Sequence, residues 1–303
     1  MSRSLSVELT ADAGATSRLR FADFITITKA RLNFLVIITA AAGYYLGAGD
    51  HFDFVTFVHL VVGTGLVAFG SAVFNQTYER DTDALMRRTR MRPLPDGRIQ
   101  PGEALLLASV LSGAGTLELA LWTNWLATGL AVLTLVTYAA IYTPMKRRTS
   151  LATLVGAIPG ALPPIVGWAA GQGSLPIEAW ALFSILFLWQ MPHFLALGWM
   201  YREDFARAGF PLLPVIEPDG RSTGRQTVMY AAALVPVSLI PCVTGLAGGL
   251  YFVAGLILGA GLVALAVRFA MTRTVASARR LFLGSIAYLP LLLGMMILGH
   301  LLR

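Results

Sequence analysis

Residues 54–83 read FVTFVHLVVGTGLVAFGSAVFNQTYERDTD. Over 54–75 the stretch carries no Asp, Glu, Lys or Arg, and it is long enough for a helix to cross a hydrocarbon core about 30 Å thick. Where it runs out, Asn75, Glu79 and Asp83 follow at four-residue steps. On a helix each such step lands one turn on and on nearly the same face, so an amide and two carboxylates line one stripe. A basic run comes next: Arg87, Arg88, Arg90, Arg92 and, past Pro93-Leu94-Pro95, Arg98. The apolar part decides the fold class, and its polar end marks where chemistry is to be sought. Polar clusters at a bilayer are costly and tend to be functional.

Eight further apolar stretches lie at about 27–48, 104–122, 124–142, 152–171, 177–199, 227–247, 249–270 and 281–301. Composition agrees: of 303 residues 56% are hydrophobic and 13% charged, with mean hydropathy +0.69. An ordinary soluble domain is excluded. The expected architecture is all-α: a polytopic membrane bundle of about nine transmembrane helices around a central cavity opening to the cytoplasmic side. Residues 1–23 are expected to be a cytoplasmic tail and 24–303 a single domain. The single cysteine, Cys242, lies in an apolar stretch, so no internal disulfide is possible.

Charge placement sets the orientation. Lys and Arg crowd into the N-terminal region, 76–103, 143–151, 200–226 and 271–280, or the helix ends beside them, apart from Arg303. The alternate loops carry Asp50 and Asp53 but no Lys or Arg. By the positive-inside rule the basic side is cytoplasmic, which puts the N-terminus inside and the C-terminus outside. Topology accounts for the net charge of +7, so no nucleic-acid partner is implied. The first 20 residues have no signal-type apolar core and include Glu8 and Asp12, which favours a bacterial cytoplasmic (inner) membrane over an organelle.

Three segments on the basic side are rich in chemistry. The stripe Asn75, Glu79 and Asp83 suits Mg²⁺, which takes one or two carboxylates and lets phosphate oxygens complete its shell. The arginines suit the phosphates themselves. Asp81 points away from the stripe and is expected to pair with Arg80 or a neighbouring loop. The plain alternative is a solvated helix end with local ion pairs; the acids begin at an apolar span, which favours a site.

The second segment is Tyr142-Thr-Pro-Met-Lys146-Arg147-Arg148. Pro144 is expected to end the helix and turn Lys146 across the bundle mouth, with Tyr142 facing the same cavity. Arg147 is a candidate substrate contact, balanced against ordinary membrane anchoring. The third segment holds Gln190-Met-Pro192-His193-Phe194, then Tyr201-Arg202-Glu203-Asp204-Phe205. Pro192 is expected to break the helix where it lines a cavity. Gly156, Gly160 and Gly167, with Pro159, Pro163 and Pro164, interrupt the fifth span, either as cavity lining or as close packing.

Together these strings resemble the UbiA superfamily of intramembrane prenyltransferases. The superfamily signal is Glu79-Arg-Asp-Thr-Asp83 with Arg88-Thr-Arg90 and Arg92-Pro-Leu-Pro95. Tyr142-Thr-Pro-Met-Lys146, Gln190-Met-Pro-His193-Phe194, Tyr201-Arg-Glu-Asp204-Phe205 and Ala208-Gly-Phe-Pro211-Leu-Leu-Pro214 are similar to its haem-modifying branch. The resemblance runs from about residue 22 to the last span. Two positions depart from the family pattern: Glu79 stands where Asp is usual, and Ala208 leaves a second acidic motif incomplete.

The resemblance implies Mg²⁺-dependent transfer of a farnesyl group from farnesyl diphosphate to a vinyl group of haem B, with addition of water. It implies Asn75, Glu79 and Asp83 as metal ligands, with Asp204 assisting a second metal. Lys146, Arg87, Arg88, Arg92, Arg147 and Arg202 are the implied basic contacts, and Tyr142, Gln190, Tyr201 and Glu203 further substrate contacts. His193 contacts haem iron or a propionate, or guides the water. The lipid bilayer and a haem A synthase-type protein are the implied partners.

Three rivals remain at this stage. One is a related enzyme acting on 4-hydroxybenzoate or a similar quinone precursor. Another is a transporter, which would want polar groups at mid-membrane. The third is a non-catalytic haem-assembly protein, which would not need the acidic stripe.

Overall fold

The computed structural model describes residues 21–301. Residues 1–20, most of the expected tail, lie outside the described residues, as do Leu302 and Arg303. Among the described residues nine helices are long and apolar enough to cross a membrane, and there is no strand. They are α1 (Ala30–Ala48), α2 (Phe54–Leu85), α3 (Pro101–Trp122), α4 (Trp125–Met145), α5 (Ala152–Gln172), α6 (Ile177–Met200), α7 (Arg221–Val243), α8 (Gly249–Thr272) and α9 (Val275–Leu301).

Local chemistry sets several helix starts. Asp53 caps α2 by accepting the Thr56 N–H at 2.8 Å, and Asn124 caps α4 by accepting the Ala127 N–H at 2.9 Å. At α3, Pro101 occupies the first turn, where its missing N–H costs nothing. Glu103 accepts the Gln100 N–H at 3.0 Å.

Among the described residues two apolar clusters are the largest. Tyr44, Leu60, Leu119, Ala127 and Val166 fill the one among α1–α5. Leu182, Ile185, Leu234, Phe269, Leu281 and Leu292 fill the one among α6–α9. In lipid the hydrophobic effect gives helices little reason to associate, so close packing of small residues does more of the work. At the α1–α5 contact a Cβ on Gly43 would strike the Pro164 backbone, and one on Gly167 would strike the Ala40 carbonyl. Gly167 is therefore a close-packing glycine, whereas Gly156 and Gly160 line a cavity.

α2 continues helically past its apolar part to Leu85 and carries the polar stripe on one buried face, as the four-residue spacing requires. Three expectations are corrected. α7 begins at Arg221, ahead of its first apolar residues, and ends at Val243. α6 runs unbroken through Pro192, which removes only one backbone donor from the ladder. Pro144 does not end α4. The wide π turn Thr137–Tyr142 precedes it, and the chain continues helically to Met145 before reaching Lys146.

Candidate active site

Two chambers lie between the helices. The mouth chamber, of about 220 Å³, is lined among others by Lys29, Glu79, Asp83, Arg88, Arg92 and Lys146. The inner chamber, of about 310 Å³, is lined mainly by apolar groups, with Ser71, Tyr138, Gln190 and His193 among its polar ones. Lys29, Leu32, Tyr142 and Phe194 line both, so the two chambers adjoin at these side chains.

In the mouth each acidic or amide group of the stripe is held by a cation. Lys146 Nζ donates to Glu79 Oε1 at 2.8 Å, and Arg92 donates to Asp83 Oδ2 at 2.7 Å. Lys29 Nζ donates to Asn75 Oδ1 at 2.6 Å, while Asn75 Nδ2 donates to Thr143 at 3.1 Å. The carboxylates are 6% and 1% exposed, and burial at that level demands pairing. Asn75 is fully buried and stands behind Lys29 rather than in the chamber wall.

Burial, with Arg92 and Lys146 close by, pulls the Lys29 ammonium down to about 7. Burial works against the Lys146 ammonium, but the Glu79 carboxylate and, beside it, Tyr142 and Tyr138 together hold Lys146 above its ordinary value. Lys146 lies 4.5 Å from the Tyr142 ring centroid, and Arg88 lies 5.1 Å from that of Tyr201. Met86, Phe205, Phe210 and Leu212 close the mouth with a small apolar cluster that joins the loop after α2 to the loop after α6.

Asp204 stands elsewhere. With Arg87, Tyr201, Arg202 and Glu203 it lines a neighbouring polar cavity and pairs with Arg207 at 3.0 Å. Among the described residues no three His, Cys, Asp or Glu side chains cluster as metal ligands, so Asp204 does not join Glu79 and Asp83. Arg147 is exposed and lines neither chamber. Asp81 pairs with Arg80 at 3.1 Å on the solvated face, as its helical angle requires. Arg98 ties the loop back to Asp23 and Asp96.

In the inner chamber Gln190 donates to the Ala157 carbonyl at 3.2 Å, in space that Gly160 leaves open. His193 lies between the Trp189 and Phe282 rings, with centroids 5.1 and 4.5 Å away.

Sequence reasoning missed Lys29, whose left-handed backbone (φ 49) breaks the chain ahead of α1 as its ammonium bonds Asn75. As a lysine beside Arg31 at a span end it reads as a membrane anchor. A lysine next to a span that meets an amide elsewhere leaves no local signal.

The UbiA prenyltransferase family model matches residues 36–292. A protoheme IX farnesyltransferase of Solibacter usitatus is 48% identical over 287 residues, covering 92% of this chain and 98% of that protein. One of Koribacter versatilis is 44% identical over 297 residues, covering 95% of each. Among solved structures, a digeranylgeranylglyceryl phosphate synthase superposes with TM-score 0.79 at 16% identity, covering 93% of this chain and 99% of that one. A UbiA homolog from Archaeoglobus fulgidus bound to GPP and Mg²⁺ gives TM-score 0.63 at 16% identity, covering 90% and 99%. These structural likenesses carry the fold alone. With the family match spanning most of its length and relatives of 44–48% identity along nearly all of it, the chain belongs to the UbiA prenyltransferase family.

Proposed function

We propose that the chain, acting as a single domain, transfers a farnesyl group from farnesyl diphosphate to a vinyl group of haem B, with addition of water. The observation that carries this reading is the join between a charged mouth and an apolar interior. An isoprenoid diphosphate has the same division, an anionic head on a hydrocarbon tail. Relatives at 44–48% identity are named as protoheme IX farnesyltransferases, which supports farnesyl and haem over other prenyl donors and acceptors.

The donor set fits Mg²⁺. Glu79 and Asp83 present carboxylates at one wall, as a hard cation requires, while Asn75 holds Lys29 beside them from behind that wall. Bound there, the ion would supply Lewis-acid stabilisation of the leaving diphosphate. Lys29, Arg88, Arg92 and Lys146 would bind and orient the diphosphate oxygens. The C1–O bond breaks with its electron pair leaving on the diphosphate. The terminal vinyl carbon then bonds to C1 of the farnesyl cation. Water adds to the new cation beside the porphyrin ring and gives up one proton. Apolar walls of the inner chamber keep water from the farnesyl cation until the vinyl group reacts. The basic loops would face the cytoplasm of a bacterial inner membrane, which agrees with the positive-inside rule.

The test is to incubate purified protein with haem B, farnesyl diphosphate and Mg²⁺, and to weigh the extracted haem by mass spectrometry. The expected product is haem plus farnesyl plus a hydroxyl, formed only with divalent metal. Unmodified haem from folded protein, with product appearing instead on 4-hydroxybenzoate, would overturn the haem reading in favour of a quinone-precursor acceptor.

A further inference from the structure

His193 belongs to a network behind the inner chamber wall that the proposed transfer does not itself explain. Its Nδ1 lies 2.9 Å from Ser285 Oγ on α9, and that hydroxyl lies 2.7 Å from the Phe282 carbonyl. A serine hydroxyl has one hydrogen, and a carbonyl only accepts. With that hydrogen directed at the Phe282 carbonyl, Ser285 Oγ is left to accept from His193 Nδ1–H. Assigned from these bonds, the neutral imidazole carries its proton on Nδ1 and a lone pair on Nε2.

The ring is fixed in other ways as well. Trp189 stacks on one side with an interplanar angle of 26°, and its indole N–H donates to the Ser285 carbonyl at 2.7 Å. Phe282 lies against it in a tilted contact, with centroids 4.5 Å apart and an interplanar angle of 30°. Ser285 is fully buried, and neither it nor Phe282 lines the inner chamber, whereas His193 and Trp189 do. Nε2 has no hydrogen-bond partner among the described residues. A tautomer-fixed imidazole with a bare nitrogen at an apolar cavity wall is built to ligate a metal, and the metal in the proposed acceptor is the haem iron.

We propose that Ser285 fixes His193 as the Nδ1–H tautomer and so presents Nε2 as an axial ligand to the iron of the haem substrate. His193 then anchors the porphyrin, and Ser285, Trp189 and Phe282 are positioning residues. The inference rests on the haem reading above. It adds that the porphyrin is held through its metal and not through its propionates alone.

The test titrates the purified full-length protein with haem B and reads absorption and ferrous resonance Raman spectra. The wild type is expected to show a histidine-ligated Soret band and an Fe–N(histidine) stretch. His193→Ala should lose both, and added imidazole should restore the ligated band. Ser285→Ala should keep the ligated band but lower the Fe–N stretch and weaken haem binding roughly ten-fold or more, the usual scale for losing an outer-shell partner. Ser285→Thr, which keeps a hydroxyl, should restore the stretch. A merely structural role for Ser285 would not move that frequency selectively. Wild-type spectra from His193→Ala, in protein that farnesylates haem, would overturn the ligation while leaving the haem reading intact. Failure of the wild type to bind or modify haem would remove both.

Discussion

The two chambers meet at four residues and are built on opposite rules. The mouth puts two carboxylates and an amide within a shell of cations, and every acidic group there has a partner within 2.8 Å. The inner chamber carries one imidazole between two aromatic rings, with glycine and proline from α5 on the facing wall. The mouth therefore depends on charge balance and the interior on shape. A buried acid stripped of its cation carries a desolvation cost that no neighbour relieves. An apolar wall given one extra carbon is overpacked. Changes in the two regions should consequently fail in different assays.

Removing divalent metal should have the largest effect. With EDTA, farnesyl transfer should fall to background while the haem titration stays unchanged; persistence of transfer would remove the metal from the mouth, and loss of haem binding would break the division between chambers. Asp83→Asn is next. It should cost about 10²-fold or more in kcat, the scale for losing one group that stabilises developing charge, while membrane insertion and haem binding persist. Unchanged turnover would remove Asp83 from the diphosphate end.

Lys146→Met leaves Glu79 buried without its partner. Because Lys146 retains some exposure, the cost in unfolding should sit near the low end of the range for broken buried pairs, about 3 kcal/mol, measured by thermal unfolding in detergent. Pairing it with Glu79→Leu should recover most of that stability and none of the activity. If the double variant were no more stable than the single, Glu79 and Lys146 would not be coupled.

Gly160→Ala tests the interior alone. The added Cβ meets the Gln190 side chain, and overpacking of this kind costs about 1–3 kcal/mol. The KM for haem should rise roughly ten-fold, while Mg²⁺-dependent binding of inorganic diphosphate at the mouth changes little. Equal losses in both would say that the chambers do not divide the head group from the apolar contents. Arg147→Gln, exposed and outside both chambers, should alter kcat/KM by no more than about two-fold, as surface substitutions commonly do.

The bundle was legible because hydropathy alone marks a membrane helix, and all nine expected stretches coincide with spanning helices among the described residues. Helix ends were less so. The stripe Asn75–Asp83 is legible as a site from its place at an apolar span, but its burial depends on Lys29, Lys146 and Arg92, which neutralise it from outside the helix. Four-residue spacing revealed the shared face of Asn75, Glu79 and Asp83. It said nothing of the cation facing each one, since such pairs join residues 9 to 67 positions apart. Asp204 sits in an acidic string like the stripe and still lies apart, held by Arg207. Ser285 gives no sequence signal at all. A lone serine in an apolar span becomes informative only when the histidine it faces is known.

The central claim is that diphosphate and haem occupy different ends of one site. Its most direct test is to titrate wild type and Asp83→Asn separately with a non-hydrolysable farnesyl thiodiphosphate in Mg²⁺, by calorimetry, and with haem B, by absorption. The account predicts that Asp83→Asn loses the metal-dependent thiodiphosphate binding and keeps the wild-type haem curve. Loss of both, in protein that remains folded, or loss of haem binding alone would contradict it.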